Sequence, residues 1–332
     1  MDKEIDFLGI GDVTTDAFIR LKDAEVTCDI NQENCKISLR FGDKVPYESV
    51  TEIPAVGNSP NAAVSAARLG LKSAIMTDMG DDDTGRNALE VFNREGIDTS
   101  FIKTHPGEKT NYHYVLWFND ERTILIKHTE FNYDLPANIG KPKWIYLSSL
   151  GENSVPFHHQ IASYLKDNPE IKLAFQPGTF QIKLGPEELG DIYKVSALFF
   201  CNVQEAKSIL GKEEADITEL VEGIRALGPK MAVITDGPAG AYAGDDQGIW
   251  HMPIYPDPKP PVDRTGAGDS FASTFTSAII LGKTIPEALT WGPINSMSVV
   301  QNVGAQAGLL SREKLEEYLA EAPENYRPDK IN

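Results

Sequence analysis

A glycine-rich run in the C-terminal third of the chain contains residue types that bind anions and accept protons. It reads Asp263-Arg264-Thr265-Gly266-Ala267-Gly268-Asp269, and the apolar spacing that follows predicts a helix over residues 269–281. A tight turn that opens a helix points unpaired backbone N–H groups and the positive end of the helix dipole at one spot. Such a spot suits negative charge that develops during group transfer, and Asp269 is placed to accept a proton from a hydroxyl. Asp is equally a favoured helix N-cap, so the run alone leaves both interpretations open.

The composition limits the classes of partner. The chain has 332 residues, of which 41% are hydrophobic, and its 31 Lys and Arg against 49 Asp and Glu give a formal charge of −18. This excess of negative charge repels phosphate backbones and anionic lipid, so neither nucleic acid nor a membrane is the expected partner. No apolar run approaches the roughly 18 residues that span a bilayer, and the charged N-terminus does not resemble a signal peptide. We therefore expect a soluble, cytoplasmic protein.

The three cysteines are too few for a disulfide framework. Cys28 and Cys35 are close enough in sequence for one hairpin disulfide, while Cys201 lies far away. No second Cys pair or nearby His suggests a zinc site. In a reducing cytoplasm we expect all three to be free thiols.

Strand-like and helix-like segments alternate along most of the chain. Apolar runs of strand length occupy residues 5–10, 73–77, 144–148, 171–175, 197–201 and 231–235, and helices are predicted over residues 61–69 and 84–95. This alternation predicts an α/β fold with a mostly parallel sheet covered on both faces. Ligands of such sheets bind at the carboxyl ends of the strands.

Two stretches in the N-terminal half depart from this alternation. Residues 18–41 and 112–128 are typical of antiparallel strands, the second with a turn at residues 119–121. Together they predict a small β lid, made of segments at about 17–55 and 110–130, inserted in a single domain over residues 1–332. A sheet with one apolar face must cover something, and the alternatives are a substrate mouth or, in a homodimer formed through the lid, a second subunit.

The glycine-rich run resembles the C-terminal signature of the ribokinase-like, or PfkB, family of carbohydrate and nucleoside kinases. The family pattern is Asp or Asn, Thr, any residue, then Gly-Ala-Gly-Asp, and this chain has Arg264 in the Thr position. The resemblance extends over essentially the whole chain. It implies a three-layer α/β/α fold with a mostly parallel central sheet and a small β lid. It also implies that Asp269 is the catalytic base and that Gly266, Ala267 and Gly268 form the anion hole.

The resemblance assigns substrate contacts to residues from the N-terminal half. Asp16 follows the first strand at the position where the family binds sugar hydroxyls, and a carboxylate accepts two such donors at once. The second signature, a Gly-Gly pair followed by Asn and a small-residue helix, is matched by Gly57, Asn58 and Asn61, although Val56 replaces the first glycine. An Asx turn at Asp16 and helix capping by Asn61 are the alternative interpretations.

The same resemblance assigns cofactor contacts to the C-terminal half. Asn202 and Glu205 match an Asn-x-x-Glu motif that positions Mg²⁺ and phosphate largely through water, with a capping box as the alternative. Thr235, Gly237 and Gly240 match the nucleotide loop, and Asn295 belongs to a helix that flanks adenine. Nucleotide contacts are thus expected from Asn202, Thr235, Gly237, Gly240, Gly266, Gly268 and Asn295. Asp263 and Thr265 would contribute to a site for a monovalent cation such as K⁺.

These assignments predict an ATP-dependent phosphotransferase that acts on a hydroxymethyl group of a sugar. A nucleoside kinase is the alternative within the class, since lid aromatics such as Tyr112, Tyr114 and Trp117 would stack on a base or simply form the lid's core. A non-catalytic sugar-binding regulator is the alternative from another class.

The Pro-Gly turn after Gln176 is expected to be structural, and the lid and loop histidines, namely His105, His113, His128 and His251, are expected to be solvated. The individual sugar or nucleoside, the phosphoryl donor, the cation dependence and the oligomeric state stay open.

Overall fold

A computed structural model of the chain describes residues 4–28, 35–119 and 121–331. The strands are β1 (Phe7–Ile10), β2 (Thr14–Leu21), β3 (Glu25–Thr27), β4 (Lys36–Ser38), β5 (Tyr47–Val56), β6 (Ser73–Gly80), β7 (Asp98–His105), β8 (Asn111–Phe118), β9 (Glu121–Leu125), β10 (Trp144–Leu147), β11 (Lys172–Phe175), β12 (Ser196–Asn202), β13 (Met231–Thr235), β14 (Ala241–Asp245), β15 (Gly248–Met252) and β16 (Asp329–Lys330). The helices are α1 (Asn58–Arg68), α2 (Asp83–Arg94), α3 (Val155–Asp167), α4 (Thr179–Val195), α5 (Val203–Leu210), α6 (Ile217–Ala226), α7 (Ala267–Ile280), α8 (Ile285–Val300) and α9 (Arg312–Ala320).

Ten strands form the central sheet. Their order is β16-β15-β14-β13-β12-β11-β10-β1-β6-β7. The strands from β13 to β7 pair in parallel, whereas β14, β15 and β16 add an antiparallel edge. The mostly parallel sheet predicted from the alternation of strands and helices is therefore confirmed. The antiparallel edge was not among the predictions, because its short strands follow a turn and carry no crossover helix.

Helices cover both faces of the sheet, which gives three layers. Successive side chains of a strand point to opposite faces, so Phe7 belongs to one apolar cluster and Leu8 to the other. The first cluster packs under α1, α2, α7, α8 and α9, and the second under α3, α4, α5 and α6. The parallel strands are buried on both faces, which explains why their sequences are continuous apolar runs and not alternating ones.

Helix α1 packs against α7 through small side chains, and this contact brings the two halves of the chain together. Ala62, Ala63 and Ala66 are fully buried. The helix begins at Asn58, three residues before the predicted start at Asn61. The earlier start is possible because Pro60 lies in the first turn, where a missing N–H costs nothing. Asn61 is thus inside the helix and does not cap it.

The predicted lid is present as a second sheet with the order β5-β2-β8-β9. β2 pairs with β5, and β8 with β9, in antiparallel fashion, while β2 and β8 pair in parallel. The parallel pairing differs from the purely antiparallel expectation, because β2 and β8 come from separate segments and are not joined by a hairpin. Asp120, in the predicted turn between β8 and β9, lies outside the described residues.

The expectation of three free thiols is wrong for two of them. Cys28 and Cys35 form a disulfide, with their Cα atoms 4.0 Å apart. β3 and β4 pair in antiparallel fashion immediately beside them, with Thr27 opposite Lys36, which brings the two cysteines face to face. Cys201 is a free, buried thiol. None of the helices in the described part of the chain combines the length and the hydropathy that a membrane span needs.

A buried histidine in α3 makes stability depend on pH. The His158 side chain is 0% exposed, and its Nδ1 lies 2.8 Å from the carbonyl oxygen of Ser154. Burial lowers the pKa of His158 below its ordinary value. Since the unfolded chain binds this proton more readily, the stabilisation is complete above about pH 6.5 and is lost as the pH falls towards the folded pKa.

We therefore expect His158→Asn to flatten the acid limb of the stability profile. Urea unfolding of both proteins between about pH 7.5 and pH 5.5 measures the slope of the unfolding free energy. The variant is less stable at neutral pH but loses less stability on acidification. Equal slopes for the two proteins would contradict the buried, neutral state of His158.

Candidate active site

The glycine-rich turn enters α7 with a backbone that requires glycine. Gly266 is the N-cap of α7 with φ 79°, and a Cβ there would lie 2.3 Å from Cβ of Ala305. The Ala267 N–H donates to the carbonyl oxygen of Arg264 at 3.3 Å. By helix geometry the N–H groups of Gly268 and Asp269 have no acceptor within the helix. The Ala267 amide, part of the predicted anion hole, is thus engaged within the turn, whereas those of Gly268 and Asp269 are available for an anion.

Three amide side chains hold the carboxylate of Asp269. Asn58 Nδ2 and Gln176 Nε2 donate to Oδ1 at 2.8 and 3.0 Å, and Asn61 Nδ2 donates to Oδ2 at 2.9 Å. Asn58 and Asn61 come from the first turn of α1, and Gln176 follows the carboxyl end of β11. Because every partner is a donor, both oxygens of Asp269 act as acceptors and are aimed in fixed directions.

Further hydrogen bonds fix which way these amides face. The Tyr146 hydroxyl donates to Gln176 Oε1, so Gln176 Nε2 is directed at Asp269. Gln306 Nε2 donates to Asn61 Oδ1 at 3.0 Å, so Asn61 Nδ2 is likewise directed at Asp269. Gln176, Gln306 and Tyr146 were not among the predicted site residues. The position of Gln176 directly after a buried strand was the one available signal for its place at the site.

Two adjoining cavities meet at the start of α7. The smaller, of about 210 Å³, is lined by Asn58, Gln176, Phe200, Cys201, Asn202, Glu205, Thr235, Gly268, Asp269, Phe271 and Ala272. The larger, of about 500 Å³, is lined by Asn202, Thr235, Gly237, Pro238, Gly240, Ala241, Ile254, Tyr255, Asp257, Pro261, Arg264, Ala267, Gly268, Phe271, Pro293, Ser296, Met297 and Val300. Their walls share Asn202, Thr235, Gly268 and Phe271. The arrangement offers two ligand spaces joined at the anion-binding turn.

The predicted nucleotide residues divide into two groups. Thr235, Gly237 and Gly240, in and after the end of β13, line the larger cavity. Asn295 does not: its side chain is fully buried, donates to Thr274 Oγ1 at 2.7 Å and accepts the Leu310 N–H at 2.9 Å. Its polar groups are thus satisfied inside the core. Neighbouring residues of α8, including Ser296 and Met297, face the cavity in its place.

Asn202 and Glu205 form a reciprocal capping box at the start of α5. Asn202 Oδ1 accepts the Glu205 N–H, and Glu205 Oε2 accepts the Asn202 N–H, both at 2.8 Å. Both residues also line the smaller cavity with Asp269. Burial raises the pKa of Glu205, the bond from the Asn202 N–H lowers it, and the charge of Asp269 raises it again. The negative charge of the Glu205 carboxylate is therefore only partly balanced by its own neighbours. A cation bound beside it would complete this balance.

Asp16 and His113 face each other across two lid strands. Asp16 is 9% exposed and pairs in register with His113, whose Nδ1 lies 3.3 Å from Asp16 Oδ1. Among the described residues, neither Asp16 Oδ1 nor His113 Nε2 has a hydrogen-bond partner. Two buried polar atoms without partners are costly unless a ligand completes them.

A second carboxylate and histidine lie beside this pair. The buried Asp12 accepts the Tyr133 hydroxyl at 2.9 Å, and His128 Nδ1 lies 2.8 Å from Asp12 Oδ2. The His128 ring is 5.3 Å from that of His113 and 5.8 Å from that of Phe180 in α4. The rings therefore connect the lid to the segment that carries Gln176.

The histidines expected to be solvated are mostly enclosed. The side chains of His105, His113 and His128 are 19%, 13% and 15% exposed and each faces an aspartate. The expectation of solvation is wrong for these three: His105 ends β7 beside Asp78, His113 lies on β8 opposite Asp16, and His128 follows β9 beside Asp12.

Gly57 and Asp263 are held by close backbone contacts. Gly57 has φ 126°, and a Cβ there would lie 2.5 Å from the carbonyl oxygen of Asp12, so glycine is required. Val56 is almost fully buried in β5. Asp263 is 1% exposed and accepts the N–H groups of Thr265 and Gly304, each at 2.8 Å. Arg122 of β9 also reaches Asp263, with Nε 2.9 Å from Oδ1.

The chain is similar in sequence and fold to known sugar and nucleoside kinases. The pfkB family carbohydrate kinase model matches residues 23–312. A ribokinase from Haemophilus influenzae is 26% identical over 292 residues, which cover 83% of this chain and 92% of the relative. The structure of Arabidopsis thaliana ribokinase complexed with ribose and ATP has a TM-score of 0.80 at 17% identity, over 96% of this chain and 99% of that one. A nucleoside kinase from Methanocaldococcus jannaschii has a TM-score of 0.77 at 18% identity, over 96% and 99%.

The fold and the family match together define an α/β phosphotransferase with an alcohol group as acceptor. This chain belongs to the pfkB family of carbohydrate kinases. The family, the ribokinase-like fold and the kinase class inferred from the glycine-rich run are thereby confirmed.

Proposed function

We propose that this chain transfers the γ-phosphoryl group of ATP to a hydroxymethyl group of a sugar. The observation that carries the proposal is the position of Asp269 in the smaller cavity, held by three amide donors and directly after Gly268, which lines both cavities. The larger cavity has the volume for a nucleotide, and the smaller one for the reacting hydroxyl and the transferring group. The smallness of the second cavity suits a compact acceptor.

The proposed reaction uses the side chains and amides of the site directly. Asp269 takes the proton of the acceptor hydroxyl while the oxygen forms a bond to the γ-phosphorus. The bond between that phosphorus and the β,γ-bridging oxygen breaks, and ADP leaves with the electron pair. The N–H groups of Gly268 and Asp269 stabilise charge on the equatorial oxygens. The lid limits the access of water, which would otherwise accept the phosphoryl group.

The lid favours a sugar over a nucleoside as acceptor. Paired residues of adjacent strands share a face, so Tyr112 and Tyr114, which pair with Thr15 and Ala17, lie on the face opposite Asp16. Trp117 lies on the same face as Asp16, but two guanidinium groups already stack on its ring. That of Arg20 lies 4.9 Å and that of Arg122 4.6 Å from the ring centroid. Stacking of a base on these aromatics would therefore need rearrangement. Asp12, Asp16 and the two histidines beside them offer hydrogen bonds to hydroxyls instead.

We propose Mg²⁺ as the metal of the reaction, held through Glu205 and Asn202. The poorly compensated Glu205 carboxylate fits this role, and it shares the smaller cavity with Asp269. No cluster of three or more His, Cys, Asp or Glu suited to a metal occurs in the part of the chain that the structure describes. The remaining ligands would thus be water and phosphate oxygens, as Mg²⁺ prefers. When bound, the ion neutralises charge on the phosphates.

Glu205→Gln is expected to raise the Mg²⁺ concentration for half-maximal activity by about tenfold, the effect typical of groups that act on a metal through water. Glu219→Gln is the matched control, because Glu219 forms the same kind of capping box with Asp216 on α6. The control should leave the Mg²⁺ requirement within about twofold. An unchanged requirement in Glu205→Gln would remove Glu205 from the metal site.

We further propose that the chain is one kinase domain and that it acts in the cytoplasm.

We also propose that the chain forms a homodimer through the outer face of the lid, which is the face opposite Asp16. The dimer is supported by exposed apolar side chains on that face, namely Tyr47, Val50, Tyr114 and Leu125. Exposed apolar patches on a sheet mark interaction surfaces. Sedimentation velocity tests the dimer, and a monomer at assay concentration would contradict it.

The proposed function is tested by a coupled ADP-release screen over sugars and nucleosides with saturating ATP and Mg²⁺. We expect at least one sugar to stimulate ADP release strongly over the acceptor-free rate, and Asp269→Asn to serve as the blank. Preferential stimulation by a nucleoside would favour the nucleoside kinase alternative. No stimulation by any acceptor, together with sugar binding, would favour a non-catalytic sugar-binding regulator.

A further inference from the structure

Arg122 in strand β9 connects the lid to the segment that carries the anion-binding turn. Its Nε lies 2.9 Å from Asp263 Oδ1, and its Nη2 donates to the carbonyl oxygen of Val262 at 2.9 Å. The side chains of Arg122 and Asp263 are 10% and 0% exposed. This is an enclosed ion pair between two parts of the chain that are distant in sequence, and it is less screened than a surface pair.

Asp263 in turn organises two loops. Its Oδ1 accepts the Thr265 N–H and its Oδ2 accepts the Gly304 N–H, each at 2.8 Å. Thr265 precedes the turn whose Gly266 packs on Ala305, so the carboxylate holds the turn and the loop after α8 in register. A change in the position of Asp263 would therefore move the amides of Gly268 and Asp269.

The contacts of Asp263 do not fit the monovalent cation expected at this position. Both carboxylate oxygens already accept backbone N–H groups, and a guanidinium lies against one of them. A K⁺ ion at the side chain would meet the positive charge of Arg122 at close range, and like charges at such a distance repel strongly. The charge of the buried carboxylate is thus balanced by the chain itself.

The guanidinium is held in place from its other side as well. It lies over the ring of Trp117 at 4.6 Å, and the guanidinium of Arg20 lies against the same ring at 4.9 Å. Arg20, Trp117 and Arg122 occupy one register row across β2, β8 and β9. A planar guanidinium stacked on an aromatic ring is oriented without loss of its charge.

We propose that Arg122 takes the place of the monovalent cation at Asp263 and acts as a positioning residue for the anion-binding turn. Because the residue belongs to the lid, the turn reaches its catalytic geometry only when the lid lies against Asp263 as it does here. Phosphoryl transfer by this chain is then independent of K⁺. The inference rests on the proposed kinase function for its activity readout, but not for its structural readout.

The test compares wild type with Arg122→Met, Arg122→Lys and the matched control Arg20→Met. Methionine removes the charge and keeps length over Trp117, and lysine keeps the charge. Arg20 stacks on the same ring but pairs with Glu48 at the lid surface, with its side chain 49% exposed. The loss of packing on Trp117 is therefore similar in the two methionine variants, and only one of them removes the partner of Asp263.

We expect wild-type kcat to differ by less than about threefold between KCl and tetramethylammonium chloride at about 0.1 M. Arg122→Met should lower kcat by about 10- to 100-fold, since small displacements of catalytic groups have effects of this size. The KM for the acceptor should change by less than about threefold, because Asp16 is not displaced. Arg122→Lys should recover most of the loss, and Arg20→Met should stay within about threefold of wild type.

Hydrogen–deuterium exchange of residues 262–272 gives a readout that needs no turnover. We expect faster exchange in this segment in Arg122→Met and wild-type exchange in Arg20→Met. Stimulation of wild-type kcat by K⁺ beyond about threefold, or equal behaviour of the two methionine variants, would overturn the proposal.

If wild type phosphorylates no acceptor, the proposed function fails and the exchange data still decide the role of Arg122. If Arg122→Met does not fold, Arg122→Lys and the cation comparison on wild type decide it.

Discussion

Asp269→Asn is expected to lower kcat by about 10²-fold or more without unfolding the protein. The substitution preserves the shape of the side chain but removes its ability to take the proton of the acceptor hydroxyl. It also places an NH₂ group where only acceptors now fit. Whichever way the new amide turns, its NH₂ meets either Asn61 Nδ2 or the pair formed by Asn58 Nδ2 and Gln176 Nε2, all of which are donors.

The measurement is steady-state kinetics with saturating ATP and acceptor, alongside thermal unfolding. Asp329→Asn on the edge strand β16 is the control, because it makes the same change of charge on an exposed residue far along the sheet. The control should keep wild-type turnover. Near-wild-type kcat in Asp269→Asn would remove Asp269 from the chemistry, whereas a collapsed unfolding temperature would mean that the variant reports on stability only.

Asp16→Asn is expected to lower kcat/KM for the acceptor by about 10²-fold while the KM for ATP changes little. Hydrogen bonds to a charged group contribute roughly 1.5–3 kcal/mol each, and a carboxylate accepts two hydroxyls where an amide offers one oxygen. Asp16 is nearly buried, and its Oδ1 has no hydrogen-bond partner among the described residues. A sugar that supplies hydroxyl donors there would satisfy this atom.

Glu52→Gln provides the matched control for Asp16→Asn. Glu52 lies on the neighbouring strand β5 of the same lid sheet, but it accepts the Tyr112 hydroxyl at 2.8 Å on the opposite face. Removal of its charge should leave kcat/KM for the acceptor within about twofold. An equal loss in both variants would indicate a general effect on the lid, and an unchanged KM for the acceptor in Asp16→Asn would exclude Asp16 from acceptor binding.

Features that depend on local pattern are predictable from this sequence. The parallel strands are continuous apolar runs because both their faces are buried, so their positions agree with prediction to within a few residues. The turn at Gly266 and the helix after it follow from glycine placement and apolar spacing. The meeting of Asn58 and Asn61 with Asp269 follows from strand ends that share one edge of the sheet. The roles assigned to these residues stay predictions until they are tested.

Features that depend on contacts between distant segments are not predictable in this way. Nothing near Gln306 in the sequence indicates that it orients Asn61, some 245 residues away. The parallel pairing of β2 with β8 in the lid places His113 opposite Asp16. No local sequence signal determines that pairing. Asn295 lies on the predicted helix, but the helical phase turns it into the core. The disulfide of Cys28 and Cys35 likewise depends on the register of a short hairpin.

We propose above all that Asp269 drives transfer of a phosphoryl group from ATP to an alcohol. Phosphorus NMR of a reaction mixture with ATP, Mg²⁺ and the best acceptor from the screen tests it directly, because it separates a phosphate ester from inorganic phosphate. We expect a new phosphate ester in equal amount to ADP for wild type, and none above background for Asp269→Asn. Release of inorganic phosphate without an ester, or ester formation at equal rates by both proteins, would contradict it.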